Sequence, residues 1–120
     1  MTRPGTPRHI EIKDGDQTVA AADVTTAEGP EGTARTSLRA TSDHVSPGYR
    51  TDLVDAVMDL PEVQASIRLE ATIPLGDAEL LGRLRERTRD AATRAAGSTA
   101  LVDADIPPVS PPPHRRRVRD

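Results

Sequence analysis

The aromatic content of this chain limits its possible folds more than any other feature. Tyr49 is the only aromatic residue among 120, and the sequence contains no Phe, Trp or Cys. Because each aromatic side chain buries about 150–250 Å² in an ordinary core, this core must be built from Leu, Ile, Val and Ala. Such a core is thin for a chain of this length, and a second copy could cover apolar surface that one copy leaves exposed. We therefore expect a homo-oligomer, with a dimer favoured.

Alternation of apolar and polar residues predicts about five strands and two helices. The strands are expected around residues 10–12, 18–24, 34–41, 67–73 and 99–106, and the helices at 47–60 and 77–96. Asp14-Gly15 favours a hairpin turn, Ser46 and Pro47 are typical of a helix start, and Gly97 is typical of a helix end. The order β-β-β-α-β-α-β predicts a two-layer α/β (α+β) sandwich, with one mixed sheet and both helices on one face.

The two ends differ in composition from the region between them. Residues 1–8 contain almost nothing apolar, and residues 107–120 join a proline-rich stretch to an arginine-rich end. Neither composition can bury a core, and proline cannot join a sheet or a helix interior. We predict a disordered arm at 1–8, a single α/β domain at 9–106 and a disordered tail at 107–120. The tail contains a P-x-x-P match at 108–111, a pattern that binds aromatic-lined grooves, so a protein partner could bind there.

The sequence shows no targeting or membrane signal. No apolar stretch has the length of a signal peptide or approaches the roughly 18 residues of a membrane span. We therefore expect a cytoplasmic protein with no membrane association. One lysine against fifteen arginines, together with abundant alanine, resembles the composition of proteins from high-GC bacteria such as actinomycetes.

Opposite charges follow the two predicted helices. They form an acidic row on the first helix and a basic row on the second, at spacings that share a helix face. Six candidate binding residues result: Asp52, Asp55 and Asp59 on the first helix, and Arg83, Arg87 and Arg94 on the second. The rows could pair within the domain, pair across a dimer, bind a partner or simply face solvent.

No catalytic signature rises above background. His44 is the weak candidate for an acid–base residue, since imidazole titrates near neutral pH, whereas Ser46 beside it is better explained as a helix cap. Asp103 and Asp105 share a strand face and could act as paired carboxylates, although exposed acids at a strand end have the same pattern. No metal-binding histidine pair, glycine-rich phosphate loop or dinucleotide motif occurs. We expect no cofactor and no metal.

These observations favour a small non-catalytic binding or assembly module that self-associates and engages a protein partner. Two alternatives stay open. One is a small enzyme with a site between subunits around His44, and the other is a nucleic-acid accessory protein that uses the arginines of the second helix. The net charge of −3 and the lack of stacking aromatics disfavour nucleic acid.

Overall fold

The computed structural model describes residues 7–26, 32–40 and 48–107. In these ranges the strands are β1 (Arg8–Asp14), β2 (Gln17–Thr26), β3 (Thr33–Ala40), β4 (Arg68–Pro74), β5 (Arg89–Ala96) and β6 (Thr99–Asp105). The helices are α1 (Tyr49–Met58), α2 (Pro61–Gln64) and α3 (Ala78–Arg87). The first six residues of the predicted arm, and the predicted tail from residue 108, lie outside the described ranges.

The described strands form a single mixed sheet in the order β1-β2-β3-β4-β6-β5. β3 and β4 are parallel, and every other neighbouring pair is antiparallel. The helices pack on one face of this sheet, which confirms the predicted two-layer sandwich with six strands instead of about five. No helix in the described ranges is long and apolar enough to cross a membrane.

The first hairpin has the predicted form. β1 and β2 pair from Arg8 opposite Val24 to Asp14 opposite Gln17. Gly15 lies in the connecting turn with a φ of 65°, a conformation that glycine adopts without steric cost. The Asp-Gly signal in the sequence therefore located this turn correctly.

The first predicted helix starts later than expected and is followed by a second, short helix. α1 begins at Tyr49, and its N-cap residue, Gly48, has no side chain to cap it. The expected start at Ser46 and Pro47 was wrong, since the helix begins later, and Ser46 itself lies outside the described residues. Pro61, which was expected only to end this run, is the first residue of α2, a position that its fixed φ suits.

The second predicted helix ends earlier than expected. α3 stops at Arg87, because Thr88 is extended at φ −131° and ψ 178°, and its hydroxyl donates to the Leu84 carbonyl at 2.7 Å. The alanine-rich segment that follows is β5, which pairs with β6 across a turn that contains Gly97. The prediction that helix continues to residue 96 was wrong, and Arg94 lies on a strand.

The core is aliphatic, as the composition predicts. It fills the space between the sheet and the helices, where alternate strand residues meet the apolar faces of α1 and α3. Its largest fully buried side chains are Leu38, Leu53, Leu69, Ile73, Leu80, Leu84, Val24, Val54, Val57, Val63 and Val102.

Candidate functional site

The parallel strands β3 and β4 separate toward their carboxyl ends. They pair over five residues, the last being Ser37 opposite Thr72. β3 continues to Ala40 and β4 to Pro74, and these ends pair only with their antiparallel neighbours. We call this separation the β3–β4 gap. Ligands of open α/β sheets bind at the carboxyl ends of parallel strands, so the gap is the first candidate site.

The two longer helices both start at the carboxyl end of the β3–β4 gap. α1 follows β3 in the chain, and α3 follows β4 after a three-residue connection. Between the two helix starts lies a shallow cavity of about 410 Å³. It is lined by Arg50, Pro74, Leu75, Gly76, Asp77, Ala78 and Glu79.

A partly buried ion pair joins these helix starts. Arg50 Nε donates to Asp77 Oδ2 at 2.9 Å, and the two side chains are only 19% and 10% exposed. The other oxygen of Asp77 accepts the backbone N–H of Leu80 at 3.1 Å, which caps α3. Asp77 is therefore fixed by two partners, and it holds Arg50 against the start of α3.

A second acid of α3 caps the start of α1. Glu79 Oε2 accepts the backbone N–H of Gly48 at 3.1 Å and the hydroxyl of Thr51 at 3.2 Å. A negative charge is favourable at a helix N-terminus, where backbone N–H groups lack partners within the helix. The chain thus places its own carboxylate where a helix start would attract an anion.

The sheet face away from the helices carries a cleft of about 450 Å³, a volume within the usual range of small-molecule sites. We call it the open-face cleft. It includes Ser37 and Thr72, the last paired residues before the β3–β4 gap, so the two features are adjacent. The full lining is Asp23, Thr25, Arg35, Thr36, Ser37, Glu70, Ala71, Thr72, Arg94, Leu101, Val102 and Asp103.

Charges in the open-face cleft are incompletely balanced. Glu70 and Asp103 are directly opposite on β4 and β6, and facing like charges destabilise a sheet. Arg35 Nε pairs with Glu70 at 3.0 Å. In the described ranges Asp103 has no ion-pair partner. Arg94, which lies on β5 opposite Leu101 of β6, has none either. The cleft therefore offers the carboxylate of Asp103 and the guanidinium of Arg94 to a ligand that carries both a positive and a negative charge.

A buried hydroxyl lacks a partner beside the point where the strands separate. Thr36 is 5% exposed and lies one residue before the last β3–β4 pair. It alternates along β3 with Arg35 and Ser37 of the open-face cleft, so its side chain lies on the helix-facing side of the sheet, as those of Ala34 and Leu38 do. Its Oγ1 is buried and makes no hydrogen bond to the described residues. Buried polar atoms are nearly always paired, so an unpaired hydroxyl at this point indicates a place for a ligand's polar atom.

His9 forms an ionic cluster at the side of the open-face cleft, and the sequence reasoning missed it. Its Nδ1 lies 2.7 Å from Asp23 Oδ1, and its Nε2 lies 3.0 Å from Glu11 Oε2. The hydrogen bonds to Asp23 and then Glu11 raise the pKa of His9 above 6.5. Asp23 also accepts from Arg39 at 3.1 Å, and its pKa is lowered, chiefly by His9. With both nitrogens occupied, the ring is held as an ion-pair partner.

Of the predicted binding residues, the structure brings together four. Arg83 and Arg87 on α3 contact Asp55 and Asp59 on α1, so the rows face each other within the domain. Asp52 lies in the first turn of α1, away from these contacts. Arg94 belongs to the open-face cleft. A binding role for the six residues stays a prediction.

The catalytic candidates from the sequence have different outcomes. His44 falls in residues 41–47, outside the described ranges. Asp105 pairs with Arg68 at 3.3 Å, whereas Asp103 lines the open-face cleft. The signal that could have singled out Asp103 is its register with Glu70, which a sequence does not show.

No protein-family model matches the sequence, and no characterised protein sequence matches it significantly. The fold does have relatives among solved structures. An acetyltransferase of the GNAT family from Streptococcus pneumoniae superposes with a TM-score of 0.58 at 11% identity, over 82% of this chain and 66% of that one. A protein from Sphaerobacter thermophilus assigned as an acetyltransferase gives a TM-score of 0.53 at 14% identity, over 89% and 67%. The chain thus spans about two thirds of either relative, and what it shares with them at these identities is the fold.

This likeness corrects the function expected from the sequence. The prediction of a non-catalytic binding or assembly module was wrong, because both similar structures are those of acetyltransferases. The finding agrees better with the alternative of a small enzyme. The sequence could not indicate this, since it lacks recognisable motifs and the likeness lies in the order and direction of the strands.

Proposed function

We propose that this chain is a small acyltransferase that moves an acetyl group from a thioester donor to an amine acceptor. The donor binds in the β3–β4 gap and the acceptor in the open-face cleft. The observation that carries the proposal is the adjacency of these two features at Ser37 and Thr72, where the strands separate. The shared fold of two acetyltransferases supports it.

The gap suits the extended part of an acyl donor. Acetyl groups travel on carriers such as coenzyme A, which joins an amide-bearing chain to phosphate groups. An extended amide chain can add to open strand edges, and the ends of β3 and β4 present such edges to each other. The unpaired Thr36 hydroxyl can donate to an amide or acyl oxygen at the closed end of the gap.

The start of α1 does not suit the phosphate part. The position that attracts anions at a helix start holds the carboxylate of Glu79. Arg50, the cation that lines the cavity beside it, is held by Asp77. The described residues do not fit a phosphate at this point, and we derive no step through one.

The open-face cleft suits an acceptor that carries an amine and an acidic group. The facing carboxylates of Glu70 and Asp103 attract an ammonium group, and an acid on the same molecule can pair with Arg94. Bidentate pairing with arginine is strong and directional. An amino acid or a related zwitterion therefore matches this site.

The transfer needs one proton acceptor. The acceptor's nitrogen, as the free amine, attacks the acyl carbon; the new carbon–nitrogen bond forms as the carbon–sulfur bond breaks. The nitrogen's proton passes to a carboxylate, and the sulfur leaves as a thiolate. Asp103 is the candidate for that carboxylate, because no described cation holds it, whereas Arg35 holds Glu70.

Thiol release tests the proposal directly. The full chain is incubated with acetyl-pantetheine or acetyl-coenzyme A and a panel of amino acids and simple amines, and free thiol is measured with a thiol-reactive dye. The chain has no cysteine, so it contributes no background. We expect thiol release that depends on the amine, with acetylated amine detected by mass spectrometry.

Matched variants test the site. Asp103→Asn should lower turnover at least about 100-fold, the usual minimum for loss of an acid–base group. Asp105→Asn, two residues away and outside the cleft, should leave turnover unchanged. The absence of acetylated product with every donor and amine would overturn the proposed function.

A further inference from the structure

We infer that Glu79 makes this chain select acyl donors without phosphate at the start of α1, so that a pantetheine thioester serves at least as well as a coenzyme A thioester. The inference rests on the proposed function and concerns the donor half of that site. It follows because the residues at the start of α1 do not suit the phosphate groups of coenzyme A, the common acetyl carrier.

The first argument is the occupancy of the helix start. α1 has ten residues, which is enough for its N-terminal N–H groups to attract an anion. Gly48 N–H and Thr51 Oγ1 both donate to the same carboxylate oxygen of Glu79. An internal anion thus takes the donors that a phosphate would use, and a phosphate must displace Glu79 to reach them.

The second argument is the charge around the cavity. Its lining has two acids, Asp77 and Glu79, and one cation, Arg50. Asp77 is fixed by Arg50 and by the cap of α3, so Arg50 is not free to turn to a phosphate. A phosphate here would lie a few ångströms from the Glu79 carboxylate with no free cation among the residues that line this cavity.

The third argument concerns the rest of the donor. Leu75 is 53% exposed and lines this cavity directly after β4. A large apolar side chain in that position suits the methyl-bearing chain of pantetheine better than a charged group. The surface of this cavity therefore favours the pantetheine part of coenzyme A and disfavours the part that carries the phosphates.

Calorimetric binding of pantetheine and coenzyme A to the full chain tests the inference without any need for turnover. We expect the wild-type chain to bind coenzyme A no more tightly than pantetheine. Glu79→Gln should tighten coenzyme A binding at least about tenfold, as removal of a nearby like charge predicts, and leave pantetheine binding within about twofold. Glu86→Gln, the same change on the exposed face of α3, should alter neither affinity.

A salt series on the unmodified chain gives a second test that does not depend on folding of a variant. Salt screens repulsion between charges, so coenzyme A should gain affinity relative to pantetheine as sodium chloride is raised. Tighter wild-type binding of coenzyme A than of pantetheine would overturn the inference and leave the proposed transfer intact. An unchanged coenzyme A affinity in folded Glu79→Gln would also overturn it. If neither pantetheine nor coenzyme A binds to any form of the chain, both proposals are overturned.

Discussion

Arg83 binds both carboxylate oxygens of Asp55, through Nε to Oδ1 at 2.8 Å and Nη2 to Oδ2 at 3.0 Å. The pair joins α3 to α1, and Arg87 adds contacts to Asp55 and Asp59 at 2.8 Å each. The sequence shows two oppositely charged rows without showing whether they meet. In the structure the two rows meet within one chain, so the ion pairs between them hold α1 and α3 together.

Asp55→Asn should destabilise the domain more than Asp59→Asn. Asp55 accepts from two arginines and is 29% exposed, whereas Asp59 accepts from one and is 63% exposed. Exposed ion pairs contribute little, and doubly hydrogen-bonded ones contribute more. We expect thermal unfolding of Asp55→Asn to occur a few degrees below that of Asp59→Asn. Equal midpoints would contradict a stabilising role for the pair.

Asp55 also makes stability depend on pH in acid. The hydrogen bond from Arg83, foremost, holds the pKa of Asp55 below its ordinary value of 3.8. A lowered folded-state pKa gives stability that is present above pH 3.8 and is lost as the pH falls through the folded value. The difference in midpoint between the wild type and Asp55→Asn should therefore shrink as the pH is lowered below 3.8.

His9 should give the opposite dependence near neutrality. Its raised pKa means that its contribution is complete below pH 6.5 and disappears as the pH rises through the folded value. The ring resonances of His9 in NMR spectra should titrate above 6.5. Asp23→Asn should lower that pKa more than Glu11→Gln, because the hydrogen bond to Asp23 is the larger cause. The reverse order would contradict the assigned cluster.

Two glycines should respond oppositely to the same substitution. Gly97 has a φ of 65° in the β5–β6 turn, whereas Gly82 lies inside α3 with ordinary helical geometry, and an added Cβ at either meets nothing within 4 Å. Only backbone preference therefore decides the sign. Gly97→Ala should cost about 1 kcal/mol and Gly82→Ala should gain about 0.5–1 kcal/mol, as measured by urea denaturation.

Thr36→Val separates a stabilising role from a ligand-binding role. Removing a buried, unpaired hydroxyl should raise stability by about 1 kcal/mol and weaken pantetheine binding about threefold to tenfold. Thr88→Val is the control, because its hydroxyl is bonded to the Leu84 carbonyl at 2.7 Å. That variant should lose stability and keep its affinity. Unchanged pantetheine binding in Thr36→Val would remove the hydroxyl from the proposed donor site.

Local sequence patterns predicted the two-layer architecture better than they predicted where each helix and strand begins and ends. Alternation in β4 and the Asp-Gly turn are local signals, and both were interpreted correctly. The segment after Arg87 was not, because its alanines favour helix and only pairing with β6 makes it a strand. Asp90 lies in the irregular start of that strand. Its φ of 55° is uncommon for a residue other than glycine.

The candidate site was less predictable because it depends on contacts between distant segments. The β3–β4 gap exists because two parallel strands pair over only part of their length, and no periodicity encodes that. Asp103 and Glu70 become a facing pair only in the register of β4 with β6. Self-association stays a prediction that light scattering on the full chain can test, and a role for the tail stays a prediction as well.

The short pairing of β3 with β4 divides the molecule into two parts. One contains β1, β2 and β3, against which α1 packs, and the other contains β4, β6 and β5 with α3. The chain passes between them once, through α1 and α2. A break in the connection after α2 would therefore leave two fragments that each keep three antiparallel strands. The first fragment would also keep α1 and α2, and the second would keep α3. Their reassembly would depend on the five residue pairs between β3 and β4 and on the contacts of Arg83 and Arg87 with α1, which makes this fold suited to fragment complementation.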